Sequence, residues 1–118
     1  MQTVLNEPAV IRPCQPNDLD RKRIERSLER RERYRYVTPD VVAVADGYVI
    51  RSPCCSRNID PEGGIVDVAL LLFDADRAAW RLFRKDHEHD MWEYHSSYGR
   101  LVDLLDQLNV DAERKFWQ

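Results

Sequence analysis

Apolar residues recur along this chain with two periods, and the change between them outlines the fold. Over Ile65–Phe73 the period is two. Val66, Val68, Leu70 and Leu72 fall on one side, and Ala69, Leu71 and Phe73 on the other, with Asp67 the exception. A strand apolar on both sides is expected at the centre of a sheet, with a helix over at least one face. Asp74–Arg77 turns the chain into Ala78–Lys85, where Trp80, Leu82 and Arg84 alternate with Arg81 and Phe83. A polar turn, Asp86–Asp90, leads to a further strand, Met91–His95, and the three runs read as an antiparallel meander. Upstream, Val41–Ala45 and Gly47–Ser52 flank Asp46-Gly47, a strong hairpin signal. Tyr34–Val37 has strand propensity and stops at Thr38-Pro39, and Pro53–Gly64 reads as a loop.

Two segments have the helical period instead. Asn17 or Asp18 offers an N-cap for a basic helix running to about Arg33, with a thin stripe of Leu19, Ile24 and Leu28. Ser96 or Ser97 offers a start for a second, amphipathic helix with Tyr98, Leu101, Val102, Leu105 and Leu108 on one face and Asn109 as its stop. The aromatic pair Phe116-Trp117 near the end predicts a docked tail. Pro8, Pro13 and Pro16 exclude regular helix from residues 1–16, which are expected to form an arm ahead of a single domain over 17–118. The expected fold is α+β: a mostly antiparallel sheet of about five strands, an N-terminal basic helix and a C-terminal amphipathic helix on one face. Its core should hold Leu70, Leu72, Trp80, Leu82, Trp92, Leu101 and Leu105.

Composition narrows the function classes. With 118 residues, 43% of them hydrophobic, the chain can bury one core but is too short for a barrel enzyme or a full dinucleotide fold. A net charge of −3 disfavours general nucleic-acid affinity. The charge is uneven, however: residues 1–36 hold nine basic and six acidic side chains. Arg21–Arg35 with Tyr34 and Tyr36 could meet phosphates and stack on bases, but five acids within Asp18–Glu32 support a solvated, ion-paired helix face. The longest apolar run, Val68–Phe73, is far short of a membrane span. Residues 1–8 lack the charged and apolar regions of a secretion signal, so a cytoplasmic location without membrane association is expected.

Trp80, the turn Asp86–Asp90, the Trp92/Tyr94 strand and Phe116, together with the basic N-terminal helix and Arg33–Tyr36, resemble a bacterial family, domain-of-unknown-function family 3024. The likeness runs from about Leu19 to Gln118. The resemblance implies a fold and a bacterial origin and transfers no catalytic residue.

Three features carry candidate chemistry. Cys54 and Cys55 lie between Arg51 and Arg57, where positive charge would favour a thiolate able to do redox chemistry or bind metal. A Cys-Cys dipeptide seldom presents both sulfurs to one ion, so a buried thiol and a loop thiol is the plainer reading. An odd count of three cysteines also speaks against a disulfide framework. His87 and His89 flank Glu88 in a polar turn and would join a metal site only if further ligands converged. Arg30, Arg31, Arg33, Arg35, Arg51 and Arg57 are candidate contacts for an anion or a partner. No phosphate loop or nucleophile–base motif is present: Gly63-Gly64 lacks the Lys-Ser/Thr that a phosphate loop needs. The reading is a non-catalytic interaction module that self-associates, with no cofactor. The alternatives are a thiol-based redox or metal site at Cys54/Cys55 and a small-substrate enzyme without a recognisable motif.

Overall fold

The computed structural model describes residues 14–32, 37–53 and 64–117. Helix α1 spans Asp18–Leu28, followed by strands β1 (Asp40–Val44), β2 (Gly47–Pro53), β3 (Ile65–Asp74), β4 (Ala79–Asp86) and β5 (Met91–Tyr98), and then by helix α2 (Leu101–Val110). The strands form one antiparallel sheet in the order β1-β2-β3-β4-β5. The fold is therefore α+β, with the doubly apolar strand β3 at its centre.

α1 starts where the polar pattern places it. The Asn17 side chain accepts the Asp20 N–H at 2.8 Å, and Asp18 and Asp20 sit in the positively polarised first turn. The helix stops at Leu28 rather than near Arg33: Glu29 and Arg30 bond back to Arg26 and Ser27 as a closing turn. Ile24 and Leu28 are buried, while Leu19 is 61% exposed. Asn17 also ties this end to the sheet. Its backbone N–H donates to the Tyr48 hydroxyl at 2.8 Å, and that hydroxyl lies 2.7 Å from Gln15 Oε1. Burial outweighs the other influences on Tyr48 and raises its pKa.

The hairpin between β1 and β2 turns on Ala45 and Asp46, with Asp46 at φ 65°, so Gly47 is the first residue of β2 and pairs with Val44. The second helix begins later than expected. Ser96, Ser97 and Tyr98 continue β5, and Arg100 is the N-cap. Asn109 is not the stop. It lies buried in the last turn, donating to Ser27 O at 2.9 Å and Ser27 Oγ at 3.0 Å, and so joins α2 to α1. Asp111, at φ 42°, ends the helix.

Both helices supply one core. Ile24 and Leu28 of α1 and Leu104, Leu105 and Leu108 of α2 pack with Val41, Tyr48, Ile50, Leu71, Trp80 and Leu82 of the sheet. The tail is docked as expected. The Asp111 carboxylate accepts the N–H groups of Lys115, Phe116 and Trp117, and the Trp117 indole donates to Leu108 O at 3.0 Å.

Trp80, Leu82 and Leu105 are buried as expected, whereas Leu70, Leu72 and Trp92 lie outside this core. Leu101 is half-buried against it. Two β-bulges explain the difference. Between the pairs Ile50–Ala69 and Arg51–Asp67 the register skips Val68, so Val68 and Ala69 are both buried on the helix side. Between the pairs Leu82–Ser96 and Phe83–Tyr94 it skips His95, whose ring then reaches Phe116 at 5.0 Å. Each bulge keeps the intended residues inward but moves the remainder of its strand to the opposite side.

Candidate functional site

The sheet face away from the helices carries a row of side chains that crosses all five strands. Val42 pairs with Val49, Val49 with Leu70, Leu70 with Phe83, and Phe83 with Tyr94. Strand alternation puts these residues opposite the helix-facing Val41, Ile50, Ala69, Leu71 and Leu82. Phe83 and Tyr94 meet edge to face with ring centroids 5.8 Å apart. Val42 is 37% exposed and Tyr94 is 58% exposed. Val49 is buried yet stands outside the core cluster. Among the described residues, no helix covers this row.

Ion pairs frame the row on both sides. Towards one end, the Asp67 carboxylate accepts from Arg51 Nε at 3.0 Å and from Lys85 Nζ at 3.3 Å, and Lys85 reaches Asp90 at 2.9 Å. The Lys85 ammonium also lies 4.9 Å from the Trp92 ring centroid. Burial opposes charge on Lys85, but the bonds to Asp90 and Asp67 outweigh it and raise its pKa. Towards the other end, Arg81 pairs with Asp74 at 2.6 Å beside Leu72. Asp74 also accepts the N–H groups of Asp76 and Arg77. Its desolvation is more than offset by those bonds and by Arg81, so its pKa is lowered.

The residues singled out in the sequence do not gather in one place. Arg51 belongs to the ion-paired border of the open face. His87 is half-buried beside Lys85 and lines a shallow cavity of about 320 Å³ with Arg51, Asp67 and Asp90. Burial first, and the nearby Lys85 charge second, lower its pKa. His89 is exposed and bonds Asp86 at 2.8 Å. Among the described residues, no group of three or more His, Cys, Asp and Glu is placed to hold a metal ion. Cys54, Cys55, Arg33, Arg35 and Arg57 lie outside the described residues. Arg31 is not a surface contact. It is 3% exposed, donates to Leu28 O at 2.7 Å and to Val37 O, and stacks on Trp117. Arg30 remains exposed.

Phe83 was legible on the face opposite Trp80 and Leu82, whereas the placement of Tyr94 beside it depends on the bulge at His95. Asp67, the one acid in the apolar run Ile65–Phe73, was the available signal for the ion-paired border. Among the described residues, no helix is long and apolar enough to cross a membrane. No curated protein and no solved structure matches the chain. The family model of the domain of unknown function DUF3024 matches residues 12–118, nearly the whole sequence, and the chain belongs to that family.

Proposed function

We propose that the chain is a non-catalytic interaction module that self-associates through the open face of its sheet. The supporting observation is the row Val42–Val49–Leu70–Phe83–Tyr94, an apolar and aromatic band framed by ion pairs. A border bearing Arg51, Lys85 and Arg81 against Asp67, Asp90 and Asp74 has no net sign. Such a border suits a second copy of itself better than a polyanion or a polycation, because neither sign is left in excess. The dimensions are adequate. Five strands spaced about 4.8 Å apart, each rising about 3.3 Å per residue, offer on the order of 500 Å² in projection. Side-chain relief brings this towards the about 800 Å² per partner of a stable dimer. A two-fold axis through the face would set each row against its copy. The reading includes a bacterial, cytoplasmic setting in which the cysteines stay reduced.

Light scattering across a concentration series tests it. The expected result is a concentration-dependent dimer that Phe83→Glu or Leu70→Glu converts to a folded monomer. A wild-type chain that remains monomeric at every concentration would sink the reading.

A further inference from the structure

A second, unrelated surface lies between the two helices. Arg23, Arg26 and Arg30 recur at three- and four-residue spacing and so share one side of α1 and the turn that closes it. Across from them stands the first turn of α2, beginning at Arg100. Together they line an open cavity of about 470 Å³ whose other walls are Ser27, Leu101, Val102 and Leu105. All four charged residues lining it are arginines.

The ion pairs of these arginines divide them into two sets. Arg23 bonds Asp20 at 3.4 Å, and Arg100 bonds Asp103 at 3.2 and 3.3 Å. Among the described residues, the Arg26 and Arg30 side chains make no ion pair or hydrogen bond. Two uncompensated guanidinium groups thus border a cavity whose other wall is apolar. The α2 start adds to the same potential, since Arg100 provides no side-chain cap for the N–H groups of that turn. Asp103, in that turn, partly offsets it. Val102 is a β-branched apolar side chain that is 46% exposed within this charged setting. Solvent alone gives it no partner there; an amphipathic ligand would.

We propose that this cavity binds a small organic phosphate, with Arg26 and Arg30 holding its charged head and Leu101, Val102 and Leu105 carrying its apolar body. A phosphomonoester carries about two negative charges at neutral pH, matching two unpaired arginines. Its oxygens also fit the planar guanidinium fork better than a single point charge does. This site is independent of self-association, because it lies on the helix side of the sheet.

Calorimetric titration of the full chain with hexyl phosphate, inorganic phosphate and hexanol tests it. Hexyl phosphate should bind saturably and more tightly than inorganic phosphate, hexanol should give no saturable heat, and added salt should weaken the binding. Arg26→Ala with Arg30→Ala should weaken hexyl phosphate binding about tenfold or more, with the unfolding temperature preserved. Val102→Asp, which places a carboxylate at the cavity mouth, should abolish binding. Absence of saturable binding, or equal binding by the double variant, would overturn the proposal. So would retention of the chain on phosphatidic acid/phosphatidylcholine vesicles or on RNA without any response to hexyl phosphate, since that would assign the arginines to a macromolecular surface.

Discussion

The Arg31 guanidinium lies over the Trp117 indole, 4.9 Å from the ring centroid, and joins the end of α1 to the end of the chain. Its amino groups are committed to backbone carbonyls at Leu28 and Val37. A buried cation thus finds acceptors within its own plane and an electron-rich ring on its face. Trp117→Ala should cost about 3–5 kcal/mol by emptying a large buried site. Arg31→Ala should cost about 2–3 kcal/mol, because it takes a side-chain donor from each of those carbonyls and uncovers the ring. A double-mutant cycle by urea unfolding should return a coupling of about 1–2 kcal/mol. Strict additivity would mean that the ring does not sense the cation.

The same tail depends on Asp111. Its carboxylate gathers the N–H groups of Lys115, Phe116 and Trp117, and Phe116 and Trp117 are both buried. Asp111→Ala should cost about 2–4 kcal/mol, since it leaves buried donors unmet and loosens two aromatic anchors. Asp111→Asn should recover part of the loss, because the amide oxygen still accepts while the charge is gone. Hydrogen exchange at the Trp117 amide reports the difference directly. Unchanged protection in Asp111→Ala would refute the clamp.

Adjacent leucines in β3 test the bulge. Leu71 is fully buried among the core residues, whereas Leu72 is half-buried on the open face. Leu71→Ala should cost about 2–5 kcal/mol. Leu72→Ala should cost about 1 kcal/mol in the monomer, in keeping with its smaller loss of buried area. Urea unfolding in dilute solution checks both values, and equal costs would contradict the register.

This pair also shows how far the sequence could be read. The period-two pattern of Ile65–Phe73 correctly located a central strand, but both its faces are apolar, so the pattern could not say which one meets the helices. That choice is fixed by Val68, which the pairing skips. A skipped residue leaves no mark in a run of apolar residues. One position of the α2 stripe was misread for a related reason. Leu101, Leu105 and Leu108 face the core as expected, but Tyr98 belongs to β5, and the stripe passes through Leu104 and leaves the equally apolar Val102 exposed. The Arg23/Arg26/Arg30 spacing was visible, but the missing counter-charges could be recognised only once α2 was placed beside α1.

The half-buried imidazole of His87 makes stability depend on pH. Its pKa lies below the ordinary 6.5, first because of burial and then because of the Lys85 and Arg84 charges, with Asp67 and Asp86 opposing. Arg51 and Asp90 border the same cavity. At pH values well above 6.5 both folded and unfolded states hold the ring neutral, and His87 has no pH-dependent effect on stability. Below that value the unfolded chain takes up the proton first, and stability falls until the folded imidazole also protonates. Denaturation series between about pH 7.5 and pH 5 should therefore show a decline that His87→Gln flattens. An identical slope in the variant would remove His87 as its source.

Gly47 should prove irreplaceable for reasons of space rather than backbone angle. A Cβ built on it would lie 1.8 Å from the Leu71 carbonyl oxygen and 2.9 Å from its carbon. Both are backbone atoms of the neighbouring strand, so neither can swing aside. The positive φ of the hairpin belongs to Asp46, whose carbonyl accepts the Phe73 N–H at 2.9 Å. An alanine at position 47 must therefore push β2 away from β3 where Gly47 faces Leu72, weakening the bond from Phe73 as well. Gly47→Ala should cost about 1–3 kcal/mol or more by forced overpacking. Asp46→Gly should change stability by less than about 1 kcal/mol, because relief at positive φ is offset by a more flexible unfolded chain. Urea midpoints of the two variants separate the causes. A tolerated alanine at 47 would mean that the strands do not approach this closely, and a large gain from glycine at 46 would place the strain in the turn instead.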